Sequence, residues 1–249
     1  MPDTLMIDCA HVSKRFYIYE RRDASLRHLF IHAVRRHPAP ANRAYFAITD
    51  FNLQVRRGES VAILGHNGSG KSTVLRLIAG IYDPTTGSLR TYGRVATVIE
   101  LGAGFHPELT GSENIRLYGA ILGLSRKELA ARHAAVVAFA DIGNFVDTPV
   151  KYYSSGMQAR LAFAVAVCVE HEILLLDEVL AVGDETFRRK CLEHLKNYHD
   201  RGGTLVIASH DLATVRTLCS RAVWMQDGRV VMSGDIDQVA DAYHAASSG

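Results

Sequence analysis

Short apolar runs that stop at glycine or at a polar residue recur along the chain. Residues 60–64 read SVAIL before a glycine, and residues 173–176 read ILLL before two carboxylates. Residues 204–209 form a third run. Unbroken apolar runs of this length are typical of parallel strands that are covered on both faces. A segment with helical spacing, 73–79, follows the first run and meets Gly80 as a C-cap.

A different pattern fills the stretch between the first and second runs. Residues 112–122 and 125–140 have helical spacing, and each segment opens with a serine, which is a favoured N-cap. We therefore expect an α/β protein with a core and an inserted helical lobe that continues into the helix after Gly156. The approximate boundaries are 1–100 and 147–249 for the core and 101–146 for the helical lobe.

Composition adds few constraints to this picture. The chain has 249 residues, 48% of them hydrophobic, and a net charge of +2, which gives no general reason to expect nucleic-acid binding. Its four cysteines are scattered without CxxC spacing, so we expect reduced thiols. The first residues lack the order of a signal peptide, and no apolar segment approaches the roughly 20 residues that span a bilayer. We expect another chain to supply any membrane-spanning part.

The most specific motif is GHNGSGKS, which lies between the first predicted strand and its helix. Glycines let the backbone bend so that amide N–H groups point at phosphate oxygens, and the helix N-terminus adds partial positive charge. Lys71 should reach the β- and γ-phosphates, and Ser72 should give a hydroxyl to Mg²⁺. The predicted phosphate-binding residues are Gly65, Asn67, Gly68, Ser69, Gly70, Lys71, Ser72 and Thr73.

Polar residues follow the other two apolar runs. Asp177 ends the second run, where its carboxylate can hold Mg²⁺, and Glu178 is placed to accept a proton from an attacking water. His210 follows the third run and can reach the γ-phosphate. No Asn-Lys-x-Asp motif is present, which excludes a GTPase. The phosphate loop alone leaves a small-molecule kinase open.

The segment YSSGMQ at 153–158 decides between these possibilities. Together with the phosphate loop and the carboxylate pair, in this order, it resembles the nucleotide-binding subunit of an ATP-binding cassette (ABC) transporter. That resemblance implies a P-loop, RecA-like core with a helical subdomain, in a single domain over 1–249. The sequences at 100–107, 153–157 and 179–185 are similar to the corresponding segments of the ATPases that export O-antigen, group 2 capsule and wall teichoic acid from bacteria.

The resemblance assigns further roles. Ser154, Ser155, Gly156 and Met157 would form the signature that presses on ATP held by the other subunit of a homodimer. Asp184 would be the D-loop aspartate that contacts the opposite monomer. In the same way, Glu178 would be the general base and His210 the switch histidine. The expected enzyme is an ATPase that uses ATP and Mg²⁺ and works on two copies of an integral-membrane permease.

Two family positions have more than one candidate counterpart in this sequence. The family's Q-loop glutamine falls near Glu100, whose carboxylate could bind metal or water, although alignment on downstream residues puts Leu101 there instead. The adenine-stacking aromatic is best matched by Phe16, with Tyr17 and Tyr19 as alternatives. Stacking requires only an aromatic face, so spacing does not choose among the three.

Residues 14–43 form a basic segment, which contains eight Lys and Arg residues and two acidic residues. Within it, apolar positions at 26–34 share one helical face. This helix either packs on its own domain or lies at the cytoplasmic face of the bacterial inner membrane, near anionic lipid or a lipid-linked polysaccharide substrate. Polysaccharide exporters resemble the chain in carrying such a helix.

The leading expectation is thus a peripheral ATPase for polysaccharide export, without nucleic acid as a partner. An ATPase of an importer or drug exporter shares the same catalytic chemistry. A soluble ABC ATPase that acts on ribosomes or DNA is a further alternative, although it usually has two cassettes or a long coiled coil. Because the sequence stops at Gly249, we expect no additional carbohydrate-binding domain.

Overall fold

The computed structural model describes residues 4–18, 43–98, 104–177 and 183–247. Nine strands lie within these ranges: β1 Leu5–Ile18, β2 Arg43–Arg56, β3 Ser60–Leu64, β4 Thr86–Thr91, β5 Val95–Val98, β6 Ile173–Asp177, β7 Thr204–Ala208, β8 Arg221–Gln226 and β9 Arg229–Asp235. The α-helices described are α1 Lys71–Ile78, α2 Gly111–Ile121, α3 Arg126–Ala140, α4 Ser155–Cys168, α5 Glu185–Asp200, α6 Leu212–Leu218 and α7 Ile236–Ser247. Two 3₁₀ turns, Gly143–Asp147 and Val150–Tyr152, precede α4.

In the described part of the chain, six strands form the central sheet, in the order β5-β6-β7-β3-β8-β9. The first five strands in this order are parallel to one another, and β9 is antiparallel to β8. All five residues of β3 and all five of β7 are buried, as their apolar runs predict. The predicted strands at 60–64 and 173–176 are confirmed, and the third ends at Ala208 instead of residue 209. The predicted α/β fold is confirmed.

Both faces of this sheet are covered. One face packs against α4, α5, α6 and α7, and Phe163, Leu195 and Val239 are buried there. The other face packs against α1 and against a three-stranded antiparallel sheet, β2-β1-β4, with Phe51 and Leu75 in that core. A third cluster joins α2, α3 and α4. Among the described helices, none is long and apolar enough to cross a bilayer.

Helix ends differ from the predicted ones where capping decides them. The prediction that α2 starts at Ser112 is wrong: α2 starts at Gly111, because Thr110 and Glu113 form a capping box. Ser125 caps α3 as predicted, by the same device. Helix α1 starts at Lys71 and has Ala79 as its C-cap.

Gly80 follows that cap in the left-handed region, with φ of 70°, instead of forming it. The predicted basic helix at 26–34 lies outside the described residues.

Candidate active site

The loop between β3 and α1 depends on glycine at two points of close approach. Gly65 has φ of 152°, and an added Cβ would lie 2.4 Å from the carbonyl oxygen of Met225. Gly70 has φ of 107°, and its added Cβ would lie 2.9 Å from the carbonyl oxygen of Ala47. Both contacts are with backbone, which cannot move aside as a flexible side chain can. The loop can therefore take this path only with glycine at both positions.

Lys71 is buried inside this loop although it carries a charge. Its Nζ donates to the carbonyl oxygen of Gly65 at 2.7 Å and to that of His66 at 3.1 Å. Only 5% of its surface is exposed. A buried ammonium group needs such acceptors, and their placement holds the amine at the loop's inner side. The loop thus presents a cation together with the start of a helix, which suits a phosphate group.

A cavity of about 540 Å³ opens beside the loop. Its lining residues are Tyr45, Phe46, Ala47, Asn67, Gly68, Gly70, Lys71, Ser72, Thr73, Asp227 and Gly228. Six of the predicted phosphate-binding residues are among them, whereas Gly65 and Ser69 support the loop without lining the cavity. A polar floor with an aromatic wall fits a nucleotide.

The aromatic wall was missed by sequence reasoning. Tyr45 and Phe46 lie at the start of β2, and about half of each side chain is exposed. Neither residue is among the predicted candidates for the stacking aromatic, which are Phe16, Tyr17 and Tyr19. The sequence does show a pair of aromatic residues directly before the apolar part of β2. Their position beside the phosphate loop depends on the pairing register of β1 and β2, which the sequence does not show.

Phe16, the residue predicted to stack on adenine, does not line the cavity but contacts its wall. Phe16 pairs with Tyr45 across β1 and β2, with ring centroids 5.9 Å apart. Tyr82 also packs edge-on against Phe16, with ring centroids 5.3 Å apart. Tyr17 is exposed and packs against Arg15. Tyr19 lies outside the described residues.

The turn between β8 and β9 is hydrogen-bonded to the phosphate loop. The N–H of Gly228 donates to the carbonyl oxygen of Ser69 at 3.0 Å, and the Gly228 oxygen accepts from Thr49 at 2.8 Å. Asp227 and Gly228 both have positive φ, as expected of an Asp-Gly turn. The C-terminal helix also reaches the loop, since Tyr243 packs on His66 with ring centroids 5.4 Å apart.

Strand ends bring two further predicted residues to the same edge of the sheet. Asp177 ends β6 in register with Ala208 of β7, and His210 lies two residues beyond Ala208. The hydroxyl of Ser72 and the carboxylate of Asp177 are hard oxygen donors, which suits Mg²⁺. Glu178 and Glu100 lie outside the described residues, so their roles stay predictions.

The predicted signature residues begin α4. The Ser154 hydroxyl caps this helix and accepts from the N–H of Met157 at 3.2 Å. Ser154 and Ser155 are exposed, whereas Gly156 and Met157 are half-buried. An added Cβ on Gly156 would have only the Ser154 hydroxyl within 4 Å, at 3.8 Å. A glycine in a helix costs stability, and no contact with the described residues requires glycine at this position.

Tyr153 anchors the turn before this helix. Its hydroxyl donates to the carbonyl oxygen of Phe145 at 2.6 Å, and only 6% of the residue is exposed. Burial raises the pKa of Tyr153 above its usual value. The hydroxyl lies against the start of α2, where an added Cβ on Gly111 would be 2.2 Å away. Gly111 therefore makes room for the signature tyrosine.

Asn114 organises the backbone just before α2. It is fully buried, and its Nδ2 donates to the carbonyl oxygens of His106, Leu109 and Thr110. Its Oδ1 accepts from the N–H of His106 at 2.7 Å. The same turn contacts the segment before the signature, because the N–H of Val150 donates to the carbonyl oxygen of Leu109 at 2.9 Å.

Asp184, the predicted D-loop aspartate, has two partners within its own chain. It caps α5 by accepting from the N–H of Phe187 at 2.9 Å. Its other oxygen accepts from Nη2 of Arg160 at 2.6 Å. The hydrogen bond from Phe187 and the nearby Arg160 charge lower the pKa of Asp184, so its carboxylate is ionised at neutral pH.

The four cysteines all lie in the described part of the chain, and all are free. Burial raises the pKa of the Cys9, Cys191 and Cys219 thiols to about 12 and that of Cys168 to about 11. Thiols in this state are poor nucleophiles. None of the four lines the cavity beside the phosphate loop.

Comparisons with known proteins agree with this geometry. The family model described as "ABC transporter" matches residues 48–181. The chain is 42% identical to the O-antigen export system ATP-binding protein RfbB of Klebsiella pneumoniae over 241 residues, which cover 97% of this chain and 98% of that protein. It is 38% identical to the teichoic acids export ATP-binding protein TagH of Lactiplantibacillus plantarum, over 99% of this chain and 66% of that protein.

Solved structures show the same fold at lower identity. The ATP-binding cassette MJ0796, in a dimeric post-hydrolysis state bound to ADP and Pi, superposes with a TM-score of 0.74 at 23% identity, over 93% of this chain and 99% of that one. The cassette cbiO1 of Clostridium perfringens superposes with a TM-score of 0.67 at 21% identity, over 99% of this chain and 94% of that one. The resemblance in the motifs is thus confirmed: the chain belongs to the ABC transporter family, in the group of ATP-binding subunits that includes the O-antigen and teichoic acid export proteins.

Proposed function

We propose that this protein is the ATP-hydrolysing subunit that powers export of a lipid-linked polysaccharide across the bacterial inner membrane through a separate permease. The observation that carries the proposal is the 42% identity to an O-antigen export ATP-binding protein over nearly the full length of both chains. The cavity beside the phosphate loop supports the ATPase part. The protein would act as a homodimer on two permease copies, at the cytoplasmic face of the membrane.

The phosphate loop would bind the triphosphate. Lys71 is already held at the inner side of the loop by two carbonyl oxygens and would share its amine with the β- and γ-phosphates. Ser72 and Asp177 would hold Mg²⁺, which supplies charge neutralisation between the phosphates when bound. Glu178 would accept the proton of the attacking water, and His210 would hold the γ-phosphate from the neighbouring strand end.

The aromatic wall would hold the base. Tyr45 and Phe46 line the cavity with half-exposed rings, and such rings can stack on a purine. Phe16 would support the wall through its contact with Tyr45, or would stack on the base directly, as the family resemblance of the motifs implies. Tyr17 is packed against Arg15 and is less available.

The signature would act on nucleotide held by the second subunit. The start of α4 is formed by Ser154, Ser155, Gly156 and Met157. Because Gly156 has no side chain, open space remains beside its backbone. That space would admit the partner's phosphate groups close to the backbone. A dimer of this kind places each nucleotide between the phosphate loop of one subunit and the signature of the other.

The first test is hydrolysis by the purified complex. Glu178→Gln should bind ATP and barely turn it over, because the variant lacks the proton acceptor. The matched control is Glu193→Gln, the same change at an exposed position on α5. Near-wild-type hydrolysis in Glu178→Gln would refute the assignment of the general base.

The cargo needs a separate test. The complex should be purified from detergent-solubilised membranes, and the bound permease identified by mass spectrometry. In cells that express Glu178→Gln, we expect lipid-linked polysaccharide to accumulate on the cytoplasmic side, whereas Glu193→Gln should leave export unchanged. An importer-type permease, without polysaccharide accumulation, would keep the ATPase and overturn the export function.

A further inference from the structure

Arg160 joins the signature, which the proposed function places at the subunit interface, to Asp184, the predicted D-loop aspartate. It lies on α4, one turn after Gly156, and its side chain is only 19% exposed. Its Nη2 donates to Asp184 Oδ2 at 2.6 Å, and Nη1 lies 3.8 Å from Asp141 Oδ2. Asp141 ends α3 in the left-handed conformation, so three helices converge on one guanidinium group.

The surroundings fix the orientation of this side chain. The guanidinium carbon lies 5.0 Å from the centroid of the Phe187 ring, in the first turn of α5. Gly183 has φ of 77°, and an added Cβ there would lie 3.3 Å from Arg160 Nε. The backbone before Asp184 therefore passes close to the arginine. The planar guanidinium group hydrogen-bonds one carboxylate through one nitrogen while a second nitrogen stays within ion-pair distance of another carboxylate, a fixed geometry that a lysine amine does not reproduce.

We propose that Arg160 is a positioning residue that fixes the signature end of α4 relative to Asp184, so that both surfaces meet the partner subunit together. This inference rests on the proposed function, because it assumes that ATP closes a dimer through those two surfaces. Asp184 then acts first as an anchor within its own chain. Arg160 does not line the nucleotide cavity, so its removal should leave the binding of ATP to a single subunit intact.

The test separates nucleotide binding from closure. Arg160→Met keeps an unbranched stem that can pack on Phe187 but loses both ionic contacts. Arg160→Lys keeps the charge and can reach one carboxylate. Asp184→Asn keeps the N-cap of α5, since asparagine caps well, and removes the charge. Arg132→Met is the matched control, because Arg132 makes an exposed ion pair with Glu170 elsewhere on the helical lobe.

Each variant is compared for ATP affinity, for the ATP dependence of hydrolysis, and for ATP-induced dimerisation in the Glu178→Gln background. We expect unchanged ATP affinity for Arg160→Met, a Hill coefficient reduced toward one, and a dimerisation coupling weakened by about fivefold or more. Arg160→Lys should give values between those of the wild type and Arg160→Met. Asp184→Asn should have the same effect as Arg160→Met, and combining the two changes should produce no further loss. Arg132→Met should behave as wild type.

The outcomes distinguish the two levels of the argument. Wild-type cooperativity and dimerisation in Arg160→Met would overturn the role of Arg160 and leave the ATPase assignment intact. A loss of ATP affinity in proportion to the loss of hydrolysis would overturn it too, since that pattern indicates a general structural role. If the wild-type protein neither dimerises with ATP nor hydrolyses it cooperatively, both the inference and the proposed dimer fail.

Discussion

Gly111→Ala should destabilise the protein through one identifiable contact. The new Cβ would lie 2.2 Å from the hydroxyl oxygen of Tyr153 and 3.0 Å from the carbonyl oxygen of Val146. Tyr153 cannot move easily, because its hydroxyl is bonded to Phe145 and the residue is 6% exposed. On propensity alone, alanine at this helical position should be better than glycine. The steric contact opposes that gain.

The balance can be worked out from these contacts. Overpacking of a buried site costs about 1–3 kcal/mol, and the propensity gain is below about 1 kcal/mol. We therefore expect Gly111→Ala to lower the free energy of unfolding by about 1–2 kcal/mol. Tyr153→Phe removes the oxygen and should cost about 1 kcal/mol. The Phe145 carbonyl still accepts from Thr148 N–H at 2.8 Å, so it is not left without a donor.

The assay is a double-mutant cycle in urea. In the Tyr153→Phe background the 2.2 Å contact is gone and the 3.0 Å contact with the Val146 oxygen remains, so Gly111→Ala should destabilise the protein much less than it does in the wild type. The coupling between the two changes should then exceed about 1 kcal/mol and have the sign of a rescue. Equal destabilisation by Gly111→Ala in both backgrounds would refute the steric explanation.

Three further predictions use other parts of the molecule. Burial lowers the pKa of His171 to about 4, so the unfolded chain binds more protons between about pH 4 and 6.5, and about 3 kcal/mol of stability should be lost as the pH falls through that window; equal pH slopes for the wild type and His171→Phe would contradict this. Asn114→Ala should cost about 2 kcal/mol or more in urea unfolding, since it removes four hydrogen bonds of a fully buried amide and leaves the N–H of His106 without its acceptor, and a smaller loss would show that this N–H finds another acceptor. Gly65→Ala should weaken ATP binding about tenfold or more, because its Cβ meets backbone. Gly80→Ala also has positive φ but open space, so an equal loss of binding there would point to backbone strain alone.

The phosphate loop and the central strands were predictable because their signals are local. The spacing of glycines, lysine and serine over eight residues determines the loop, and five-residue apolar runs determine β3 and β7. Local rules also explain the error at α2. Ser112 and Thr110 are both good caps, but only Thr110 has a glutamate three residues later, so a capping box favours it.

The aromatic wall and the arginine contact could not be found in this way. Tyr45 reaches the cavity through its pairing with Phe16, which is 29 positions earlier in the sequence, and a shift of one residue would turn its ring to the other face of the sheet. Arg160 and Asp184 are 24 residues apart and belong to different helices. Motif comparison assigned Asp184 to an intersubunit contact and gave no sign of its intrachain partner.

The order of the strands explains how distant segments come to serve one site. Strand β7 lies between β6 and β3, and Ala208 is in register with both Asp177 and Ile63. Parallel strands in register end at the same edge, so the phosphate loop, Asp177 and His210 follow one another there. A slip of β7 by one residue would move His210 and would also place each buried apolar side chain against the wrong layer. No residue of β7 lines the cavity beside the phosphate loop, yet the burial of its five side chains is what determines where the predicted catalytic residues lie.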